Sequence, residues 1–492
     1  MTRHGVSASL GACSRVAQDM WMNSLPVLAH IEAALDAARE RWFEFLRIPS
    51  VSAQPAHGRD CRLAAGWVRD QLAAIGFVAE VRETAGLPVV VGQHPGPGGN
   101  VPHLMFYGHY DVQPAEPLEL WHAPPFEPRL TAGPFGPRVV ARGAVDDKGQ
   151  VMLWLEALRA WHAVHGTLPV RVTVLVEGEE EVGSPNLEPF LAAHRDELAA
   201  DVAIISDTNM WDIETPAVTT RLRGMAYVEV RVFGASRDLH SGLYGGSAIN
   251  PLNVLTRVLG GLHDAAGRVQ VPGFYNGVVK TPAGLAAEWA GLGFDEGAFL
   301  GDVGLSVPAG EAGRAALERM WNRPTADVNG IWGGYAGAGA KTVIAAEAGA
   351  KVSFRLVPGQ DPAAIAAGFR RFVEERLPAG VRMGMEVFAS APGIAIPSES
   401  RFVRAAQVAL AAEYGRPAVL IGSGGSIPVV ESMQRLLGME SLLMGFGLAD
   451  DQVHSPNEKF EWRCFRHGIR SHARLLGEIA TGGGPAGMRA IP

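Results

Sequence analysis

Three short apolar runs in this chain are each followed at once by histidine or carboxylate side chains. The runs and the side chains that follow them are His103–Tyr107 with His109 and Asp111, Val170–Val176 with four glutamates among residues 177–181, and Asp201–Ile205 with Asp207. Helical patterns separate the runs, which is the order of an open α/β sheet. Such a sheet binds its ligands beyond the carboxyl ends of its strands. The sequence therefore predicts an α/β fold with a polar site at one edge of an open, mostly parallel sheet.

Each of these polar side chains also has an ordinary structural interpretation. A lone histidine such as His109 is more often a structural residue than a ligand, and clustered glutamates are typical of a solvated acidic loop. Asp146 and Asp147 precede an amphipathic helix over residues 151–164 and would serve as its N-cap. However, Asp111 is placed to hold the second nitrogen of His109, as the partners of metal-bound histidines do. Because the acids recur at successive strand ends, one metal site explains all of these side chains better than separate structural roles do.

Composition and charge argue against several other classes of protein. A chain of 492 residues exceeds one core, so two or more domains are expected. The net charge of −8, without a long Lys/Arg run, argues against nucleic-acid and membrane partners. The chain has no run of about 18 apolar residues, as a membrane span needs, and residues 1–21 lack the apolar centre of a secretory signal. Cys13, Cys61 and Cys464 lie far apart and suit reduced thiols, so a cytoplasmic protein is expected.

Eight stretches resemble, in the same order, the motifs of the dinuclear zinc metallopeptidase family of the cytosolic and carnosine dipeptidases. Acetylornithine deacetylase and succinyl-diaminopimelate desuccinylase are relatives in that family. The stretches are Gly108–Pro114, Arg142–Gly149, Glu177–Ser184, Asp238–Gly246, Ala340–Ile344, Ser353–Pro358, Gly424–Pro428 and Ala449–Lys459. One match could arise by chance, whereas eight in the family's order do not. The resemblance implies a catalytic domain with helices on both faces of its sheet, and an inserted α+β lid domain.

The resemblance implies a centre of two divalent ions held by five side chains. The ligands would be His109 and Asp207 for one metal, Glu181 and His454 for the other, and Asp146 for both. Glu180 would be the general base, and Asp111 would orient His109. Spacing alone does not distinguish Glu179 from Glu180, and this assignment depends on aligning the glutamate run with the family's motif.

The implied chemistry suits these residue types. Two divalent ions about 3.5–4 Å apart can hold a bridging hydroxide, polarise the scissile carbonyl and lower the pKa of bound water to roughly 7. A carboxylate base then passes the proton to the leaving amine. Because the ligands are imidazole and carboxylate without thiolate, Zn²⁺ is expected, and Mn²⁺ or Co²⁺ could substitute.

The segment between the fourth and the fifth ligand is predicted to be a separate domain. The expected boundaries are 1-24 for a disordered tail, 25-218 for the first part of the catalytic domain, 219-392 for the lid and dimerisation domain, and 393-492 for the second catalytic part. Residues 267–323 are rich in Gly and Ala and show no clear period, so they receive no assignment.

Four later residues are singled out through the resemblance. His240 would donate to the oxyanion in the active site of the neighbouring subunit of a homodimer, although a histidine beside Ser241 can also cap or pack. Arg355 would clamp the substrate's free carboxylate, although a charge on a strand can simply face solvent. Gly425 and Ser426 would cradle the same carboxylate or form only a tight turn.

The fourth ligand position favours one branch of the family. It is Asp in dipeptidase members and usually Glu in carboxypeptidase, desuccinylase and acylase members, so Asp207 favours hydrolysis of dipeptides or short peptides with a free C-terminal carboxylate. An N-acyl-amino-acid amidohydrolase is the alternative, and an inactive binding scaffold would lack a ligand or the base, none of which is missing. Gly422–Ser426 lacks the Lys-Ser/Thr of a P-loop. Ala345 stands where dipeptidases commonly carry Pro, which leaves the side-chain preference open.

Overall fold

The computed structural model describes residues 7–482 of the chain, and the side chains of residues 24–482. Its α-helices in this range are α1 Ser7–Leu46, α2 Gly58–Ala73, α3 Lys148–His165, α4 Leu187–Ala193, α5 Arg195–Leu198, α6 Ser241–Tyr244, α7 Pro251–Gly260, α8 Ala283–Gly291, α9 Glu296–Gly301, α10 Ala316–Asn322, α11 Pro362–Glu374, α12 Arg401–Tyr414, α13 Pro428–Ser432 and α14 Trp462–Ala480. Its strands are β1 Val78–Arg82, β2 Val89–His94, β3 His103–His109, β4 Arg129–Gly133, β5 Gly136–Val140, β6 Arg171–Glu177, β7 Val202–Ile205, β8 Ala217–Leu222, β9 Gly224–Phe233, β10 Leu239–His240, β11 Thr325–Gly333, β12 Val343–Ile344, β13 Glu347–Leu356, β14 Arg382–Ala391, β15 Ile394–Ala395, β16 Val419–Ser423, β17 Glu440–Leu443 and β18 Lys459–Glu461.

The chain divides into two compact units. The first unit consists of three segments: the chain up to Thr220, Ile396–Ile421, and the chain from Ser432 onward. The second unit consists of Arg221–Ala395 and Gly422–Glu431. The domain expected over 219-392 thus differs from the second unit by two residues at its start and three at its end. Gly422–Glu431, expected in the catalytic domain, belongs to the second unit, where the Arg223 N–H donates to the carbonyl oxygen of Gly425 at 3.1 Å.

The first unit is built around a large open sheet. Seven of its strands follow the order β1-β2-β6-β3-β7-β17-β8. The central strands β6, β3, β7 and β17 run parallel, and β1, β2 and β8 add antiparallel neighbours at the edges. Every residue of β7 is buried, as expected for a parallel strand covered on both faces. The expected fold class is confirmed, and the carboxyl ends of β3, β6 and β7 lie side by side.

Helices α1, α3 and α14 of this unit pack on one another through aromatic side chains. Trp42 of α1 stacks on Phe465 of α14 with ring centroids 4.3 Å apart. Trp161 of α3 donates from its indole nitrogen to the carbonyl oxygen of Ala473 in α14 at 2.9 Å. Gly166 follows the last residue of α3, and its φ of 70° is the left-handed conformation that glycine adopts after a helix. The amphipathic patterns of the sequence therefore reflect real packing.

Helix α1 begins well before the helix expected from Leu25. It starts at Ser7 and includes most of the segment expected to be a disordered tail. No proline precedes Pro26, and extending a helix whose later turns already pack costs little because its nucleus exists. The tail prediction therefore disagrees with the structure over residues 7–24, and residues 1–6 lie outside the described part.

The second unit is an α+β domain, as expected. Its sheet is antiparallel with the order β11-β13-β9-β14. Alternate residues of β9 are buried in one core with side chains of α7 and α11, and these strand residues are Ala226, Val228, Val230 and Val232. A separate pair of short strands, β10 and β12, places His240 opposite Val343.

The unassigned region 267–323 contains α8, α9 and α10. These helices have nine, six and seven residues, which is too short for an amphipathic period to show in the sequence. Strand β11 was also missed, because its buried and exposed residues do not alternate. Among the described helices, none is both long and apolar enough to cross a bilayer.

Candidate metal centre

His109 ends β3 at the carboxyl edge of the central sheet, and its side chain is fully buried. Its Nδ1 lies 3.1 Å from the carbonyl oxygen of Asp111 and 3.4 Å from a carboxylate oxygen of the same residue, so Nδ1 is the donor. Its Nε2 lies 3.3 Å from Asp146 Oδ1 and 4.0 Å from Asp207 Oδ2, and it has no hydrogen-bond partner among the described residues. This tautomer directs the Nε2 lone pair at two carboxylates, as a metal ligand requires.

Asp146 lies in the loop before α3 and faces two histidines. Its Oδ1 lies 3.3 Å from His109 Nε2, and its Oδ2 lies 3.0 Å from His454 Nε2. Burial would raise the pKa of Asp146, but the two imidazoles beside its carboxylate hold it below its usual range. One carboxylate thus presents one oxygen to each histidine, which is the geometry of a bridging ligand.

The Asp146 loop is held by a fully buried carboxylate, Glu458, which the sequence motifs did not single out as a site residue. Its oxygens accept hydrogen bonds from the N–H groups of Gly143, Val145 and Asp146 at 2.9, 2.9 and 3.1 Å. Arg142 Nη1 donates to it at 2.8 Å. Its signals in the sequence are its place inside the Ala449–Lys459 stretch and four residues after the predicted ligand His454. Glu458 therefore positions the bridging aspartate through the backbone.

A short 3₁₀ turn after β6 carries two consecutive glutamates. The carboxylate of Asp111 accepts hydrogen bonds from the N–H groups of Glu180 and Glu181 at 3.3 and 3.1 Å. Gln113 Nε2 donates to Glu181 Oε2 at 2.7 Å, and the same oxygen lies 3.3 Å from His454 Nε2. Asp111 thus orients this turn as well as the imidazole before it, and Gln113 is a second residue that the sequence analysis did not single out.

Glu179 and Glu180 have different surroundings. The Glu179 carboxylate accepts a hydrogen bond from Asn186 Nδ2 at 2.8 Å and lies over Gly86, where an added Cβ would come within 2.0 Å of it. Burial instead raises the pKa of Glu180 to about 7, against the opposing charge of His109. The charges that act on Glu180 are therefore those of metal-centre residues and of Asp111, whereas Glu179 is hydrogen-bonded to Asn186.

The remaining two predicted ligands, Asp207 and His454, both have shifted pKa values. Asp207 follows β7, and burial together with the nearby Asp146 raises its pKa well above the usual range. His454 has a φ of 62° and a half-exposed side chain, and hydrogen bonds with Asp146 and Glu181 raise its pKa to about 10. Without a cation, crowded carboxylates must bind protons. Divalent ions would replace those protons.

The five predicted ligands lie together in two sets that share one carboxylate. The ligand atoms of His109, Asp146 and Asp207 all lie within 4.8 Å of one another, and so do those of Asp146, Glu181 and His454. Imidazole and carboxylate donors suit Zn²⁺ and also Mn²⁺ or Co²⁺. Because the buried His109 Nε2 has no hydrogen-bond partner within residues 24–482, the residues present fit a dinuclear metal centre.

The other predicted site residues lie in the second unit. His240 is exposed, and its Nδ1 accepts a hydrogen bond from the N–H of Gly242 at 3.0 Å, so its Nε2 carries the hydrogen. Arg355 Nη1 donates to the hydroxyl oxygen of Ser426 at 3.2 Å. The predicted carboxylate clamp of Arg355, Gly425 and Ser426 is therefore assembled within one unit.

Comparisons with known proteins identify the relatives of this chain. Residues 105–478 match the sequence profile of Peptidase family M20/M25/M40. The Cys-Gly metallodipeptidase dug1 of Schizosaccharomyces pombe is 30% identical over 406 residues, covering 80% of this chain and 83% of its own. The human Beta-Ala-His dipeptidase is 30% identical over 389 residues, covering 77% and 75%. The structure of the di-peptidase Dug1p from Saccharomyces cerevisiae superposes with a TM-score of 0.79 at 26% identity, covering 93% of this chain and 98% of that one.

Proposed function

The chain belongs to the peptidase family M20/M25/M40 and is a metal-dependent hydrolase, and we propose that it cleaves dipeptides or short peptides with a free C-terminal carboxylate. The observation that carries this proposal is the Asp146 carboxylate, which faces His109 with one oxygen and His454 with the other. A shared ligand of this kind is what a two-metal hydrolytic centre needs. The relatives named above are dipeptidases, which supports the substrate class.

The proposed metal is Zn²⁺, with Mn²⁺ or Co²⁺ able to substitute. His109 and Asp207 would hold one ion, Glu181 and His454 the other, and Asp146 both. Two such ions would polarise the scissile carbonyl and lower the pKa of an attacking water to roughly 7.

Glu180 is the proposed general base. Its carboxylate accepts a proton from the attacking water and passes it to the leaving amine. The carboxylate of Glu179 is engaged by Asn186, which supports assigning this role to Glu180. Asp111 accepts hydrogen bonds from the N–H groups of Glu180 and Glu181 and so holds the 3₁₀ turn in place. The turn in turn holds the base in a fixed position.

His240 is the proposed donor to the carbonyl oxygen of the tetrahedral intermediate. Because Nδ1 accepts a hydrogen bond from the N–H of Gly242, the hydrogen lies on Nε2, and the ring presents an N–H donor there. The clamp of Arg355, Gly425 and Ser426 binds the substrate's carboxylate, for which a guanidinium fork is well suited.

The proposed active form is a homodimer in which His240 acts in the neighbouring subunit. Large apolar side chains are exposed on the two edge strands of the second unit's sheet, which supports pairing there. They are Ile331 and Trp332 on β11, and Val387 and Phe388 on β14.

A cytoplasmic location is also proposed. Cys61 and Cys464 are buried free thiols, which suits a reducing compartment. The side chain of Cys13 lies outside the described part of the chain.

Metal removal combined with two substrates tests the function. After dialysis against a chelator we expect hydrolysis of alanyl-alanine to fall to background, because the centre loses its Lewis acids, and Zn²⁺ or Mn²⁺ should restore it. Metal analysis should show two ions per subunit in the active protein. Hydrolysis that persists in metal-free protein would contradict the dinuclear mechanism, and faster release of alanine from N-acetyl-alanine would favour the amidohydrolase instead.

A further inference from the structure

A second arginine, Arg223, stands beside the predicted carboxylate clamp. Arg355 in β13 lies opposite Met225 in the antiparallel ladder, and Arg223 precedes Met225 by two residues. Arg223 itself lies one residue before β9 begins, at the end of the ladder that also carries Arg355. Both arginines are partly buried.

The turn that carries Ser426 is built around Arg223. The Arg223 N–H donates to the carbonyl oxygen of Gly425, and its Nε donates to that of Gly424, both at 3.1 Å. The Ser426 hydroxyl donates to the carbonyl oxygen of Arg223 while it accepts from Arg355. A Cβ at Gly424 would lie 3.1 Å from Arg223 Nη2, so glycine leaves room for the guanidinium. The terminal nitrogens of Arg223 are not used by these contacts.

Neither guanidinium has an ion-pair partner in the described part of the chain, and the Asp327 carboxylate acts on Arg223 only from beyond ion-pair distance. Among residues 24–482, neither Arg223 nor Arg355 forms an ion pair with a carboxylate, whereas Arg323 in the same unit pairs with Glu311 at 2.6 Å. Burial and the neighbouring Arg355 lower the pKa of Arg223 to about 10. Holding two cations close together in a partly buried place is unfavourable unless an anion binds there.

We propose that Arg223 is a second substrate-binding cation, which donates from its terminal nitrogens to the same C-terminal carboxylate that Arg355 binds. This inference rests on the proposed peptidase function and adds a residue to it. The hydroxyl of Ser426 lies between the two arginines and fixes where the carboxylate can sit. The site then favours substrates with a negatively charged C-terminus, which two guanidinium groups and one hydroxyl would bind.

The test compares alanyl-alanine with alanyl-alanine amide, which lacks the negative charge. Arg223→Gln should lower kcat/KM for alanyl-alanine by about 10- to 100-fold, mainly through KM, because a hydrogen bond to a charged group is lost. Hydrolysis of the amide should change by less than about twofold. Arg355→Gln should act in the same way, and the double variant should lose less than the product of the two effects, because both residues hold one group.

The matched control is Arg221→Gln, which removes a positive charge two residues away. Arg221 donates to Asn322 Oδ1 at 3.0 Å and should leave the preference for alanyl-alanine over its amide unchanged. If Arg223→Gln does not fold, Arg223→Lys replaces it in the test, since lysine keeps the charge. Arg223→Lys should raise KM for alanyl-alanine by a smaller factor than expected for Arg223→Gln and should leave KM for the amide unchanged.

Two results would overturn the inference. If a variant of Arg223 lowers hydrolysis of both peptides equally, Arg223 only supports the turn. If the preference for the carboxylate is unchanged, the substrate does not touch Arg223. A wild-type protein that cleaves neither peptide would instead refute the proposed function itself, so the two failures are distinguishable.

Discussion

Glu179, Glu180 and Glu181 follow one another in the sequence, yet their carboxylates meet different partners. Glu179 accepts from Asn186, and Glu181 accepts from Gln113. Glu180 is half-buried beside the metal-centre residues, and desolvation raises its pKa to about 7. A 3₁₀ turn directs successive side chains about 120° apart, so neighbouring acids can serve unrelated roles. Substitutions that remove one charge at a time should therefore separate these roles.

Glu180→Gln should lower kcat for dipeptides by about 10²–10⁴-fold, because an amide cannot accept the proton of the attacking water. The variant should still bind two metal ions, since Glu180 is not among the five ligands. Glu179→Gln is the matched control and should retain kcat within a few fold. Steady-state kinetics and metal analysis of both variants check this. A fully active Glu180→Gln with an inactive Glu179→Gln would move the base by one residue.

Among single residues, the sequence predicts those whose position follows from a strand end or from a family motif. The five ligands are of this kind, and the structure brings them together. Glu458 and Gln113 were not predicted as site residues. Glu458 accepts from backbone N–H groups of the Asp146 loop, and Gln113 donates to an oxygen of the ligand Glu181. Such partners are set by how distant segments meet, and spacing along the chain does not report them.

At the scale of elements, one buried carboxylate joins α12 to α14. Glu413 near the end of α12 accepts hydrogen bonds from Arg470, Arg474 and His467 of α14 at 2.6, 2.9 and 2.8 Å. Only 2% of its side chain is exposed. Burial would raise the pKa of Glu413, but hydrogen bonds from His467 and Arg470 outweigh burial and lower the pKa to about 2.

Glu413→Gln should lower the free energy of unfolding by about 1.5–3 kcal/mol near pH 7, because it removes the negative charge that accepts hydrogen bonds from three side chains of α14. Since the pKa of Glu413 is lower in the folded state, its contribution is complete above about pH 5 and is lost as pH falls toward 2. The difference between wild type and variant should therefore shrink on acidification. Denaturant unfolding at several pH values measures it, with the exposed Glu399→Gln as control. A difference that does not change with pH would exclude this origin.

The sequence predicts long elements better than short ones. The predicted helix over 151–164 and the strand over His103–Tyr107 are present with slightly wider bounds. Helices α8 to α10 have too few turns to show a period, and β11 lacks alternation. The early start of α1 was missed because helix propagation depends on packing further along the chain.

At the scale of the whole molecule, the proposed residues are divided between the two units. The metal-centre residues and Glu180 belong to the first unit, and His240 belongs to the second. If His240 acts in the neighbouring subunit, a complete site needs two chains related by a two-fold axis. His240→Ala and Glu180→Gln would then be inactive for reasons located in different subunits.

Mixed dimers of these two inactive variants should regain activity. In a heterodimer, one site combines Glu180 of one chain with His240 of the other and is intact, while the second site carries both lesions. Each heterodimer should therefore reach about half of wild-type activity, whereas either variant alone loses about 10²–10³-fold or more. Coexpression with two different tags and tandem purification isolates the heterodimer, and a two-tag dimer of Glu180→Gln alone is the control. A purified heterodimer that stays at the level of this control would place His240 in its own subunit or outside the reaction.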